Sequence, residues 1–119
     1  MWIFTQKGFL SIVRHIDKAN ILIVRSRFKG HIERVFPKAR VEEDATRDYR
    51  FRAELPIEEV SKMIANMVSQ IDYHNFKDSL SDEIYFESCV QIYNLLAKNS
   101  IEWDSDNLII GRSREIPVS

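Results

Sequence analysis

The chain has 119 residues, 17 Lys and Arg against 18 Asp and Glu, and 45% hydrophobic side chains, enough for one core and not for two. Three Gly, three Pro and 29% charged residues exclude collagen-like, low-complexity and wholly disordered classes. Cys89 is the only cysteine, which excludes an intrachain disulfide and a four-cysteine zinc site and fits a reducing compartment.

Met1 to Phe4 meets polar Thr5, Gln6 and Lys7 at once, unlike the apolar segment of a secretory signal. No apolar run approaches the roughly 18 residues that span a bilayer. The expectation is a soluble, cytoplasmic protein. Gly8 marks a bulge or turn after Trp2, Ile3 and Phe4, and residues 9 to 14 are rich in β-branched and aromatic types, which predicts a strand. A polar connector, Asp17 to Asn20, leads to Ile21 to Arg27, the strongest strand signal, so the two segments form a hairpin. Leu22, Val24 and Ser26 fall on one face of that strand, and Ile21, Ile23, Arg25 and Arg27 on the other.

Lys29 to Phe36 carries Ile32, Val35 and Phe36 at helical spacing and stops at Pro37, which predicts a short helix. Lys38 to Thr46 is connector with a few extended residues around Val41. Residues 48 to 55 alternate as a half-buried strand, with Tyr49, Phe51, Ala53 and Leu55 on one face and Asp48, Arg50, Arg52 and Glu54 on the other. Pro56 opens a helix with Glu58 and Glu59 in its first turn, and Ile57, Val60, Ile64, Met67, Val68 and Ile71 form its buried stripe. From Asp72 to Leu80 the chain either continues this helix or bends. Ser79 or Ser81 caps the last helix, which buries Ile84, Tyr85, Cys89, Ile92 and Leu96. After Ser100 the pattern lapses, and Leu108, Ile109 and Ile110 either add a strand or dock.

The order β-β-α-β-α-α predicts an α+β fold: a small, mainly antiparallel sheet with helices packed on one face. The helix between the second and third strands points to a crossover, right-handed if those strands are parallel. One domain covers residues 1–99, and residues 100–119 form a C-terminal extension.

Charge is unevenly spread: residues 1 to 40 hold nine basic against two acidic side chains, and the rest hold eight against sixteen. Arg25 and Arg27 share a strand face, as do Arg50 and Arg52, so in-register neighbouring strands gather four guanidiniums. Planar guanidinium forks suit phosphates and carboxylates. With Lys29 and His31 at the start of the short helix, they form a candidate anion site. The plainer alternative pairs these arginines with Asp48, Glu54 and helix acids on an ordinary solvated surface.

Stacking of bases is not expected on the third strand, because Tyr49 and Phe51 alternate out of phase with Arg50 and Arg52. His15, His31 and His74 are the only imidazoles, and one of them beside an arginine is the minimum for a metal-independent ribonuclease or phosphodiesterase. Asp72, Tyr73, His74, Asn75 and Asp78 offer ligand atoms but match no metal-binding spacing. No glycine-rich phosphate loop or nucleophile elbow occurs, so no cofactor and no metal are expected. Cys89, Met63 and Met67 read as core packing.

At Met1-Trp2-Ile3-Phe4-Thr5, Gly8-Phe9, Arg25-Ser26-Arg27, Asp48-Tyr49-Arg50 and Ile71-Asp72-Tyr73-His74-Asn75-Phe76-Lys77 the chain resembles a loose group of short uncharacterised proteins from bacteria and their mobile elements. The likeness spans about residues 1 to 96 and carries no catalytic residues over. It implies a compact stand-alone protein whose tail after Ser100 is an individual addition.

The residues together point to a small non-enzymatic accessory protein that docks an anionic or acidic partner, namely a nucleic acid backbone, a nucleotide or an acidic protein surface. The alternatives are the His/Arg ribonuclease, or self-association through Trp103, Leu108, Ile109 and Ile110. No membrane partner is expected.

Overall fold

The structure, a computed structural model, describes residues 1–110, with side chains described through residue 105. Its elements are β1 (Trp2–Thr5), β2 (Gly8–Arg14), β3 (Ile21–Ser26), α1 (His31–Val35), β4 (Glu42–Glu43), β5 (Phe51–Pro56), α2 (Ile57–Ser69), a 3₁₀ turn (Lys77–Ser79) and α3 (Glu83–Ile110). They divide into two compact units, Met1–Ser79 and Leu80–Ser119. No helix among the described residues is long and apolar enough to cross a membrane.

The first unit is α+β. Its five strands form one sheet in the order β1-β2-β3-β5-β4, and every neighbouring pair is antiparallel. β5 lies beside β3 and runs against it, so the connection through α1 and β4 folds back to the sheet and makes no parallel crossover. The hydrophobic alternation sets the register. Leu10, Ile12, Val24, Phe51, Ala53 and Leu55 point to one face, where Ile32, Val35 and Phe36 from α1 and Val60 from α2 cover them. The opposite face carries no helix of this unit.

Gly8 closes a two-residue hairpin turn: Thr5 Oγ1 accepts the N–H groups of Lys7 and Gly8 at 3.1 and 3.0 Å and donates to the Gly8 carbonyl at 2.8 Å. At the other edge β4 is two exposed glutamates long, a short, charged strand that resists pairing with another chain. The sequence pattern places a strand at 48–55; the ladder begins only at Phe51, because Asp48 to Arg50 belongs to an irregular return from β4.

α2 matches its predicted stripe in part. Val60 is buried and Ile57, Ile64 and Met67 are half-buried, but Val68 and Ile71 are exposed, since the helix ends at Ser69 and the chain turns away. Residues 72–80 bend through the 3₁₀ turn.

In the second unit Asp82, not Ser79 or Ser81, caps α3: its Oδ1 accepts the Tyr85 N–H at 3.0 Å, one of the amides a helix start leaves unpaired. Tyr85 and Cys89 are buried as expected, and burial pushes the Cys89 thiol pKa up. Ile84 and Leu96 are exposed instead of buried, as is Trp103. α3 runs without a break to Ile110, so Leu108–Ile110 is helical and not an added strand. The side chains of Leu108, Ile109 and Ile110 lie outside those described, as do residues 111–119.

Candidate anion site

The register aligns one residue from each strand across the sheet face opposite α1 and α2. Trp2 on β1 faces Ser11 on β2, Ser11 faces Arg25 on β3, Arg25 faces Arg52 on β5, and Arg52 faces Glu42 on β4. Directly opposed residues in an antiparallel pair have Cβ atoms roughly 5 Å apart, where like charges repel. The fold nonetheless sets two arginines opposite each other at its centre.

Three of the four predicted guanidiniums gather here. Arg25 Nη2 donates to Ser11 Oγ at 2.6 Å, which draws it back over the sheet, and its Cζ lies 4.4 Å from the centroid of the Tyr49 ring. Arg27 Cζ lies 4.9 Å from the same ring, so both cations rest on one aromatic π system. Arg52 reaches Asp48 Oδ1 at 3.4 Å. The Nε atoms of Arg25 and Arg52 are both buried and have no hydrogen-bond partner among the described residues. Burial, then the nearby Arg47 and Arg25 charges, lower the Arg52 pKa. Arg52 lines a depression together with Ile23, Arg40, Arg47, Glu42 and Glu54, Arg27 is exposed, and Arg25 is half-buried.

Asp48 is a carboxylate that feels the charges of all three cations. The Tyr49 backbone N–H, first, and then Arg52, Arg25 and Arg27 hold its pKa below the usual aspartate value. It acts as an internal counter-ion with which any bound anion competes. Asp48→Asn is therefore expected to raise affinity for inorganic polyphosphate several-fold, read by calorimetric titration, with little change in thermal stability.

The other predicted residues go elsewhere. Arg50 leaves the cluster: its Nε and Nη2 clasp Glu43 Oε2 at 3.0 and 2.6 Å, because the irregular chain before Phe51 turns it toward the β4 edge. Lys29 is exposed in the loop before α1. His31 is not at the edge of a surface site but in the core, 2% exposed, where its Nδ1 accepts the Phe9 N–H at 3.0 Å and its ring packs on Phe28. The N-terminus of α1 adds nothing to the site: the helix is five residues long and the His31 N–H already donates to the Phe28 carbonyl.

The imidazoles are dispersed. His15 Nδ1 accepts the N–H groups of Asp17 and Lys18, and its Nε2 sits 2.7 Å from Glu54 Oε1, so both nitrogens are engaged within the fold. Lys18, first, and His15 hold the Glu54 carboxyl below its usual range. His74 is exposed in the segment after α2. Among the described residues no group of three His, Cys, Asp or Glu gathers to hold a metal ion.

Two members of the site are not identified by the alternation pattern. Tyr49 is buried, as its place with Phe51 predicts, but it lies outside the ladder and its ring stacks with the Arg25 and Arg27 guanidiniums. Ser11 reads as a strand residue of no special kind, and only the β2–β3 register makes it the partner of Arg25. Set against protein-family models, curated proteins and solved structures, the chain matches none of them.

Proposed function

We propose that this chain is a cytoplasmic, non-enzymatic binding protein that docks an anionic partner through Arg25, Arg27 and Arg52, on the sheet face opposite α1 and α2. The observation that carries this reading is the opposed Arg25–Arg52 pair, whose two Nε–H groups are buried without a partner among the described residues. A buried donor left unpaired costs on the order of 1–3 kcal/mol, and like charges across a strand pair add to that cost. A phosphate or carboxylate between the two guanidiniums relieves both. Tyr49 and Ser11 fix the arginines in position, so the site is organised before the anion arrives.

The charge distribution agrees with this reading. The first unit carries 14 basic and 11 acidic residues, a net +3, and the stretch from Leu80 to the C-terminus carries three and seven, a net −4. An anion is thus drawn to the unit that holds the cluster.

The test is a titration of the full chain with inorganic polyphosphate over a range of salt concentrations. Binding is expected to weaken steeply as salt rises, because the anion displaces counter-ions from each arginine it meets. Binding that is absent at low salt, or insensitive to salt, overturns the reading.

A further inference from the structure

The sheet face opposite α1 and α2 is aromatic at one side and cationic at the other. Trp2 shares the transverse row of Ser11, Arg25 and Arg52, and Phe4 pairs with Phe9 in the next row. The rings form one cluster: Trp2 meets Phe9 edge-on with centroids 6.0 Å apart, and Phe4 lies 4.7 Å from Phe9. Phe9 is buried, Phe4 is half-buried, and Trp2 is 56% exposed. At about 4.8 Å per strand, Trp2 and Arg25 stand roughly 10 Å apart across the sheet.

We infer that the anionic partner is a single-stranded nucleic acid, with phosphates on Arg25, Arg27 and Arg52 and a base stacked on Trp2. The inference rests on the anion-docking reading above and adds the chemistry of the ligand. A polymer that alternates charged phosphates with flat apolar rings matches a surface that sets guanidiniums beside an exposed indole. An acidic peptide satisfies the arginines but has no flat ring to cover Trp2. A duplex hides its bases in the stack and leaves Trp2 nothing to bind. The mismatch of phase between Tyr49, Phe51 and the arginines of β5 is irrelevant here, because the stacking ring comes from β1, three strands away in the sheet.

The experiment compares a short oligothymidylate with an abasic strand of equal length and charge, by fluorescence anisotropy with the full chain at low salt. The oligothymidylate is expected to bind about fivefold or more tightly than the abasic strand, which corresponds to one stacked base. Trp2→Ala is expected to erase that difference while leaving the affinity for the abasic strand and for polyphosphate unchanged. Trp2 and Trp103 are the only tryptophans, so a Trp103→Phe protein reports Trp2 alone. Its emission is expected to be quenched by the oligothymidylate and not by the abasic strand. Equal binding of the two strands, with polyphosphate also bound, overturns this inference and leaves the anion-docking reading standing. Binding of a polyglutamate peptide without the oligothymidylate does the same and points to an acidic protein. Failure of all these anions to bind removes both.

Discussion

Arg25→Ala/Arg52→Ala is expected to lose about a hundredfold in affinity for polyphosphate, with no loss of fold. A hydrogen bond to a charged group contributes on the order of 1.5–3 kcal/mol, so each guanidinium accounts for roughly tenfold or more. Against single-stranded nucleic acid, the slope of log affinity on log salt is expected to become shallower by about 1.4, since each phosphate contact contributes about 0.7. The fold survives because the substitutions remove a repulsive pair together with two buried Nε–H groups that have no described partner. Circular dichroism melts check this directly. Arg50→Ala is the matched control: its guanidinium is spent on Glu43, so the same titration is expected to be nearly unchanged. Arg52→Lys is not a conservative exchange here, because an ammonium lacks the planar guanidinium fork and its Nε–H.

The largest effect on stability is expected at Gly8→Ala. Gly8 has φ +155°, a conformation that L side chains rarely adopt, and a Cβ there lies 2.5 Å from His31 Cγ and 2.7 Å from Nδ1. The His31 ring has no room to yield. It is 2% exposed, packs on Phe28, and holds the Phe9 N–H at 3.0 Å through the atom the new methyl group meets. Relief by moving the ring breaks that buried hydrogen bond, and relief by moving the backbone disturbs the Thr5–Gly8 turn that starts β2. Backbone strain and overpacking each cost on the order of 1–3 kcal/mol, so the sum is about 3 kcal/mol or more. Urea unfolding is expected to give a much lower midpoint at unchanged slope. A shift equivalent to less than about 1 kcal/mol contradicts this account of His31.

The strands and the short helix were legible because their signals are local. Alternation in Ile21 to Arg27 separates the buried Val24 and Ser26 from Ile23 and Arg25, and Pro37 and Pro56 punctuate the chain where the elements end and begin. The arginine cluster was legible in outline for the same reason, since a period of two places Arg25 and Arg52 on definite faces. What the pattern lacks is register and loop geometry. Arg25 opposite Arg52, and Trp2 in their row, follow from pairings between residues far apart in sequence.

Arg50 and Tyr49 precede the ladder, where a strand's phase no longer applies. By spacing, His31 reads as a helix-start residue at the edge of a cation patch. Its burial depends on Gly8, 23 residues earlier, lacking a side chain, and no local signal links the two. The spacing on α3 predicts a buried stripe of Ile84, Tyr85, Cys89, Ile92 and Leu96; Tyr85 and Cys89 are buried, but Ile84 and Leu96 are exposed. Its apolar residues are spread around the helix, and spacing alone does not choose which of them a neighbour covers.

The central claim is that an anion docks at the opposed Arg25 and Arg52 guanidiniums and takes up their unpaired Nε–H groups. Nuclear magnetic resonance of the arginine Nε–H groups, recorded while polyphosphate is added, tests it most directly. The account predicts that the Arg25 and Arg52 resonances move together along one saturating curve while that of Arg50, held by Glu43, stays in place. Arg25 and Arg52 signals that remain still while polyphosphate binds, or shifts spread evenly over all arginines, would contradict it.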